Sequence, residues 1–403
     1  KVITEENGEP KQIVCGAKNI SVGQIVPVAL PGSVVTNRKT GEALVIKTGK
    51  IRGVASGGML CAANELGIEE ESEGIYILPE STKIGLDLIE ELNLKPKAVL
   101  NIESRSNRGD ALCMLGIARE VSACLNSPLK KDVYKETISS EVFGKIGWLK
   151  SQIVSEEVCS KVGFVKLKNV QVKESPDWIK EHLSEAGISC INNIVDITNF
   201  VMLEIGQPMH AYDEAKVDSE NAICVQWAGK EYEGQKFIGL DEKEYKLSSK
   251  NLLITNNQEV LSLAGVMGGM KSSINENTKD IILEAACFEP WCVRQTSRSV
   301  GTVSESSRRF ERGTNVELVE IALSRAIALL VEHAGAEVEG HTFTSNKISK
   351  EVTIEFDLEF YERIVGHPIK AERAEEILNN LGFVVEKLSI ETFKITIPIY
   401  RQS

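Results

Sequence analysis

The sequence predicts a multidomain α+β protein, and three observations carry that reading. At 403 residues the chain exceeds one ordinary domain, and roughly 150 residues per domain suggests about three. Residues 1–93 consist of short β-branched runs separated by Gly, Pro, Asn and Lys clusters, the pattern of small strands and turns. Beyond them, amphipathic helical stretches alternate with hairpin patterns, and the last fifty-odd positions (346–403) read as a compact α+β module.

Taken in order, QIVCGAKNI, QIVPVAL and ALVIKTGKI in residues 1–93 suit a small barrel. The opening residues read as the middle of a strand with no turn or cap before them, so an N-terminal truncation is expected. Residues 98–126 begin with VLNIES and continue as a helix from Ala111 to Leu125, with Asp110 as its N-cap; positions 127–152, starting Asn-Ser-Pro, read as a connector. Residues 153–345 mix helices and hairpins. Pro176 takes the first helical position after Ser175, DWIKEHLSEA follows, and Gly187 ends it. FIGL and YKL flank Asp241-Glu242-Lys243, while LLIT and VLSLAG flank Asn256-Asn257-Gln258, where Asn tolerates positive φ. A long helix from Val316 to Ala334 stops at Gly335. The terminal module carries VTIEFD, a helix over Leu358–Val365, a second over Ala371–Leu381, and two strands. No low-complexity segment or internal repeat interrupts the chain.

The composition, 42% hydrophobic and 26% charged, supports packed cores, and no apolar run approaches the roughly 18 residues of a membrane span. Nine cysteines are scattered without a C-x-x-C pair, which fits reduced thiols in a cytosolic protein better than a disulfide framework or a zinc site. The net charge of −12 by itself argues against a protein that grips nucleic acid by its phosphates, because such proteins show a basic domain or stripe. RNA contact, if any, has to be local.

Generic signatures of phosphate cradles, nucleophile elbows and zinc helices are missing. Gly265, Gly268 and Gly269 in LAGVMGGM follow a strand and read as a tight turn. His210, after Pro208, is either a structural histidine or a functional one. Glu284 lies inside the apolar strand DIILEAACF, where a carboxylate is costly without partners. It either caps a turn, pairs with an arginine, or reads a ligand hydroxyl or ammonium. SRRFERG, with Arg309 and Arg312, is either an ion-paired loop or a phosphate contact, and Lys47, Lys50 and Arg52 pose the same choice.

At this point long strings resemble one family. IVCGAKNI, KIRGVASGGMLCAANELGI and EGIYILPE are similar to the oligonucleotide-binding domain near the start of bacterial phenylalanyl-tRNA synthetase β subunits, and SNRGDALCMLGIAREVSA to the helical segment after it. The stretch from SPDWIKEH through GQPMHAYD, then LAGVMGGMKSSINENTKDIILEAACF and TSRSVGTVSESSRRFERG, resembles that family's editing region; FDLEFYERIVGHPIKAERAEEILNNLGF resembles its fifth domain. SRSNRGD departs from the usual T-P-N-R-x-D only in a local turn.

The resemblance implies a partial OB-fold barrel at 1–93, a helical linking segment at 94–152, a mixed α+β editing domain at 153–345, and a small α+β, winged-helix-like module at 346–403. It implies catalytic or positioning roles for Thr198, Asn199, His210 and Glu284. Ala264 and Gly265 correspond to a floor that admits an aromatic ring, and Ser304 and Ser306 to a wall where relatives often carry Thr or Ala. Lys47, Lys50, Arg52, Arg309 and Arg312 become tRNA contacts. The implied activity is hydrolysis of tyrosyl-tRNA(Phe) within a cytoplasmic α2β2 ligase that uses ATP and Mg2+, with tRNA(Phe) and the α subunit as partners and neither membrane nor DNA. No metal or cofactor site is implied in this stretch. A synthetic site can reject tyrosine only by excluding one hydroxyl, which limits discrimination; a second site that accepts that hydroxyl inverts the preference. The alternatives are a free-standing editing hydrolase and a non-catalytic RNA-binding chain.

Overall fold

The computed structural model describes residues 1–6, 8–38, 40–68, 72–92, 99–127, 129–130, 143, 145–146, 149–218, 220–256, 259–346 and 351–401. The chain divides into two units, Lys1–Leu100 and Asn101–Ser403.

In the first unit, β1 (Val28–Ala29), β2 (Val34–Thr36), β3 (Ala43–Val45), β4 (Gly49–Ile51), β5 (Val54–Ser56) and β6 (Met59–Leu60) form three antiparallel pairs, β1–β6, β2–β3 and β4–β5. The β4–β5 hairpin turns through Arg52 and Gly53, at φ +49° and +80°, a primed turn that matches strand twist. Two small clusters, one around Ala29, Val35, Ile46 and Cys61 and one around Ile13, Leu60 and Ile75, are its cores. A short helix, α1 (Leu88–Glu91), is capped by Asp87, which accepts from Ile89 N at 2.9 Å.

The second unit opens with α2 (Met114–Leu125). It starts later than the expected Ala111, and Asp110 is not its cap. Cys113 accepts from Gly116 N at 3.4 Å instead, while Arg108 takes the Asp110 carboxylate at 3.0 Å. A charged partner outcompetes a free backbone N–H. The expected connector at 127–152 supplies β7 (Lys145–Ile146) and β8 (Ser151–Ile153); its residues 131–142 lie outside the described residues.

After these come β9 (Cys159–Lys168), α3 (Asp177–Glu185), α4 (Asn193–Ile205), β10 (Met209–Asp213), β11 (Ile223–Trp227), α5 (Gly229–Tyr232) and the hairpin β12 (Lys236–Ile238)–β13 (Glu244–Lys246). Glu242 at φ +61° turns that hairpin. Next are β14 (Leu252–Asn256), β15 (Glu259–Leu263), β16 (Met267–Gly268) and β17 (Ile281–Phe288), then α6 (Pro290–Val300), α7 (Glu305–Phe310), α8 (Leu318–Ala334) and β18 (Glu337–Ser345). The β14–β15 pairing is as expected, though 257–258 at its tip lie outside the described residues.

Two five-stranded sheets result, in orders β10-β17-β9-β18-β7 and β16-β15-β14-β11-β8. They face each other across one core, which takes Phe164, Tyr212, Ile282, Ala286 and Phe288 from the first and Val225, Leu253, Leu261 and Leu263 from the second. The other face of the first sheet, with Ile281, Leu283 and Ala285, packs against Ile197 and Val201 of α4 and Leu323 and Ile327 of α8. Every residue of β17 is therefore buried, as expected of a strand covered on both faces. The chain ends in β19 (Val352–Asp357), α9 (Leu358–Val365), α10 (Ala371–Asn380), β20 (Val384–Lys387) and β21 (Thr392–Ile397), ordered β19-β21-β20. Asp357 caps α9, accepting from Glu359 N at 2.7 Å.

Candidate active site

The site is built on a cross-strand pair. Gly206, at φ +90°, ends α4 and turns the chain into β10. The buried Gln207 amide holds that entry by donating to Ala286 O at 2.9 Å. In the resulting register His210 stands opposite Glu284, so both side chains leave the same face of the sheet, toward the second sheet. Tyr212, two residues on, shares that face because strand side chains alternate with period two.

Glu284 is 5% exposed. The Tyr212 hydroxyl donates to its Oε2 at 2.5 Å, and that hydroxyl also lies 3.2 Å from Ser262 Oγ on β15. Burial pushes the Glu284 carboxyl up to about 7, against the opposing hydrogen bond from Tyr212. Burial likewise pushes the His210 imidazole down to about 4, so the ring is neutral at physiological pH. Its Nε2 has no hydrogen-bond partner among the described residues. The ring stands edge-on to Tyr212, centroids 4.5 Å apart.

A cavity of about 70 Å³ opens beside this pair. His210, Glu284, Ser262 and Ser306 supply its polar side chains; Met267, Phe288 and Phe310 supply apolar wall. The glycines of LAGVMGGM have specific roles there. Gly265 adopts φ +70°, and a Cβ on it would lie 2.9 Å from Phe310 and 3.1 Å from Val293. A Cβ on Gly268 would lie 2.4 Å from His210 Cε1, so the imidazole rests on bare backbone. Ser304 caps α7, accepting from Ser307 N at 3.1 Å while donating to Val266 O at 2.8 Å. That pair of bonds ties the α7 wall to the turn at 264–266.

The structure brings His210, Glu284, Gly265 and Ser306 to one cavity. Ala264 is fully buried in the core between the sheets, and Ser304 acts as the cap just described. Thr198 and Asn199 lie on α4, outside the cavity lining; the Thr198 hydroxyl donates to Val195 O of its own helix at 2.7 Å. Of the basic residues, Lys47, Lys50 and Arg52 are exposed in the first unit. Arg309 turns inward: its side chain is 7% exposed, donating to Leu112 O at 3.1 Å and to Glu305 Oε2 at 2.8 Å. Arg312 donates to Arg308 O at 3.2 Å. Reasoning from sequence missed Tyr212, Ser262, Phe288 and Phe310. Alternation along HAYD was the available signal for Tyr212.

Among the described residues no helix is long and apolar enough to cross a membrane. The sequence model of the B3/4 domain matches residues 158–335, which hold the cavity, and that of a putative tRNA binding domain matches residues 2–87. The class is therefore a chain that joins a tRNA-binding module to a B3/4 module. The phenylalanine–tRNA ligase beta subunit of Clostridium tetani is 38% identical over 98% of this chain and 48% of its own length. That of Clostridium acetobutylicum is 39% identical, again over 98% and 48%, and that of Synechocystis 37% identical over 98% and 49%. The chain belongs to the family of phenylalanine–tRNA ligase β subunits and spans about half the length of the curated relatives it matches. A solved N-terminal fragment of the Pyrococcus horikoshii phenylalanyl-tRNA synthetase beta subunit is 14% identical over 74% of this chain and 80% of that one, with a TM-score of 0.34; a likeness that weak carries no argument.

Proposed function

We propose that this chain contributes tRNA binding and proofreading to a phenylalanine–tRNA ligase, and that the His210–Glu284 cavity hydrolyses tyrosyl-tRNA(Phe). The observation that supports this reading is a buried carboxylate, raised to about 7, at an aromatic-walled cavity beside a neutral imidazole. A substrate phenol gives that carboxylate a donor, as Tyr212 does inside the protein. A phenylalanine ring gives it none and desolvates it. The cavity of about 70 Å³ is smaller than the ~150 Å³ that takes a benzene ring, so a wall must give; Met267, unbranched and flexible, is the wall suited to it.

In the reaction, water adds to the ester carbonyl and the bond from the acyl carbon to the ribose oxygen breaks, leaving tyrosine and free tRNA. His210 offers Nε2 to the water or ester. Catalysis then rests on positioning and on the neighbouring ribose hydroxyl. The resemblance gives Thr198 and Asn199 the same positioning role; from outside the cavity lining they would act on the tRNA-bearing end of the substrate.

The same reading makes 1–93 a partial OB-fold barrel that meets tRNA through Lys47, Lys50 and Arg52, 94–152 a linking segment, 153–345 the editing domain and 346–403 a winged-helix-like module. It makes the α subunit the partner in a cytoplasmic α2β2 assembly, whose ligase reaction uses ATP and Mg2+. A crystal soaked with tyrosine tests the site. Density for the phenol within hydrogen-bond reach of Glu284 supports it, and tyrosine bound elsewhere or with its hydroxyl in solvent refutes it.

A further inference from the structure

The outer face of α6 carries a combination of groups that the cavity does not use. Trp291, Arg294 and Arg298 fall at spacings of three and seven, on one side of the helix, and all three are exposed. Trp291 is 52% exposed, and its ring lies against Trp227 of β11 with centroids 5.4 Å apart and planes tilted by 44°. Trp227 is half-buried against the core, whereas a tryptophan left as open as Trp291 loses much of the gain of burying an aromatic side chain. In a chain of net charge −12, several basic side chains of the second unit have carboxylate partners, as Lys161, Lys166, Lys168, Arg308, Arg325 and Arg373 do. Arg294 and Arg298 have none among the described residues. Arg298, in the last turn, is in part explained by the helix dipole; Arg294, one turn earlier, is not.

The inner face of the same helix is Cys292, Val293, Thr296 and Ser297, and Val293 packs on the cavity turn at Gly265. The open tryptophan and the two arginines therefore lie about one helix diameter, roughly 10 Å, from that turn.

We propose that this face binds the single-stranded 3′ end of tRNA, with a base stacked on the Trp227–Trp291 pair and backbone phosphates met by Arg294 and Arg298. The chemistry is that of single-strand platforms, in which aromatic faces accept any base and neighbouring cations track the backbone. It resolves the conflict posed by the net charge: the RNA contact is local, two cations and one stacked pair on the helix whose inner face packs on the cavity turn. The choice of tRNA as occupant rests on the proposed editing function, whereas the test below reads binding alone, so an inert cavity would leave its outcome unchanged.

The experiment measures dissociation constants of the natural protein for tRNA(Phe), intact and with the single-stranded 3′ end removed, over a range of salt. Trp291→Ala and the pair Arg294→Gln with Arg298→Gln are compared with the parent. Each is expected to weaken binding of intact tRNA roughly tenfold and to leave the trimmed tRNA unchanged. The arginine pair should also lower the slope of log K against log salt by about two. Should Trp291→Ala fail to fold, the arginine pair, wholly on the surface, carries the test. Equal weakening for both tRNAs overturns the single-strand assignment. Unchanged binding in every variant overturns the proposal and hands the face to a protein partner.

Discussion

Replacing Tyr212 by Phe removes one oxygen from the fully buried centre of the site and leaves the ring packing intact. In the parent, that oxygen donates to Glu284 Oε2 at 2.5 Å and touches Ser262 Oγ at 3.2 Å. Burial holds the Tyr212 phenol itself well above its ordinary range, so it remains a donor throughout. Glu284 titrates near 7 in the folded protein against 4.5 in the unfolded chain. With a raised folded value, its contribution to stability is complete below pH 4.5 and is lost as pH rises through about 7. The Tyr212 hydrogen bond opposes that loss, and it is stronger toward the ionised carboxylate than toward the neutral acid. Below the transition Tyr212→Phe should therefore cost about 1 kcal/mol, the worth of a neutral hydrogen bond, and above it about 2–3 kcal/mol, that of a charge-assisted one. Urea unfolding of parent and variant at pH 5.5 and pH 8.5 reads the difference. A penalty that is equal at the two pH values, or larger at the acidic one, refutes the reasoning, because it would mean that the Tyr212 bond does not distinguish the two states of Glu284.

Three further outcomes follow from the same geometry. Gly268→Ala drives a methyl to within 2.4 Å of the His210 ring; a loss of about 1–3 kcal/mol in stability with collapse of tyrosyl-tRNA hydrolysis is expected, and parent-like activity would show that the ring does not need its place. Burial lowers His210 from 6.5 to about 4, so the stability tied to its neutral form is present above 6.5 and lost as pH falls through 4. His210→Phe should remove about 3 kcal/mol of that acid loss, seen as a flatter stability profile between pH 6.5 and 4. Arg309→Gln should destabilise the protein by about 1–3 kcal/mol, the cost of orphaning buried partners, while leaving the dissociation constant for tRNA unchanged; a shallower salt dependence of binding would instead make Arg309 a phosphate contact.

Local features were legible in the sequence wherever the determinant is local. Gly335 stopping α8, Asp241-Glu242-Lys243 turning a hairpin, and the α9 boundaries follow from short-range propensity, and the structure places them as expected. Glu284 could be singled out because a carboxylate in an apolar strand needs a partner. That partner is Tyr212, 72 positions away, and only strand register reveals it. The same limit explains Arg309: charge within SRRFERG reads as surface, whereas the acceptor that draws it inward is the Leu112 carbonyl 197 positions away. Position alone makes Asp110 a helix cap, and its ion pair to Arg108 is not visible from position. Thr198 shows a different limit, since an apolar helix buried on α4's pattern does not announce that the hydroxyl bonds within its own turn.

The central claim is that Glu284 reads the hydroxyl that separates tyrosine from phenylalanine. It is tested most directly by the rates at which parent and Glu284→Ala deacylate tyrosyl-tRNA(Phe) and phenylalanyl-tRNA(Phe). Losing a hydrogen bond to a charged group, about 1.5–3 kcal/mol, predicts that the preference for the tyrosyl ester falls roughly tenfold to a hundredfold, with the phenylalanyl ester hydrolysed as well as or better than before. An unchanged preference would contradict the account.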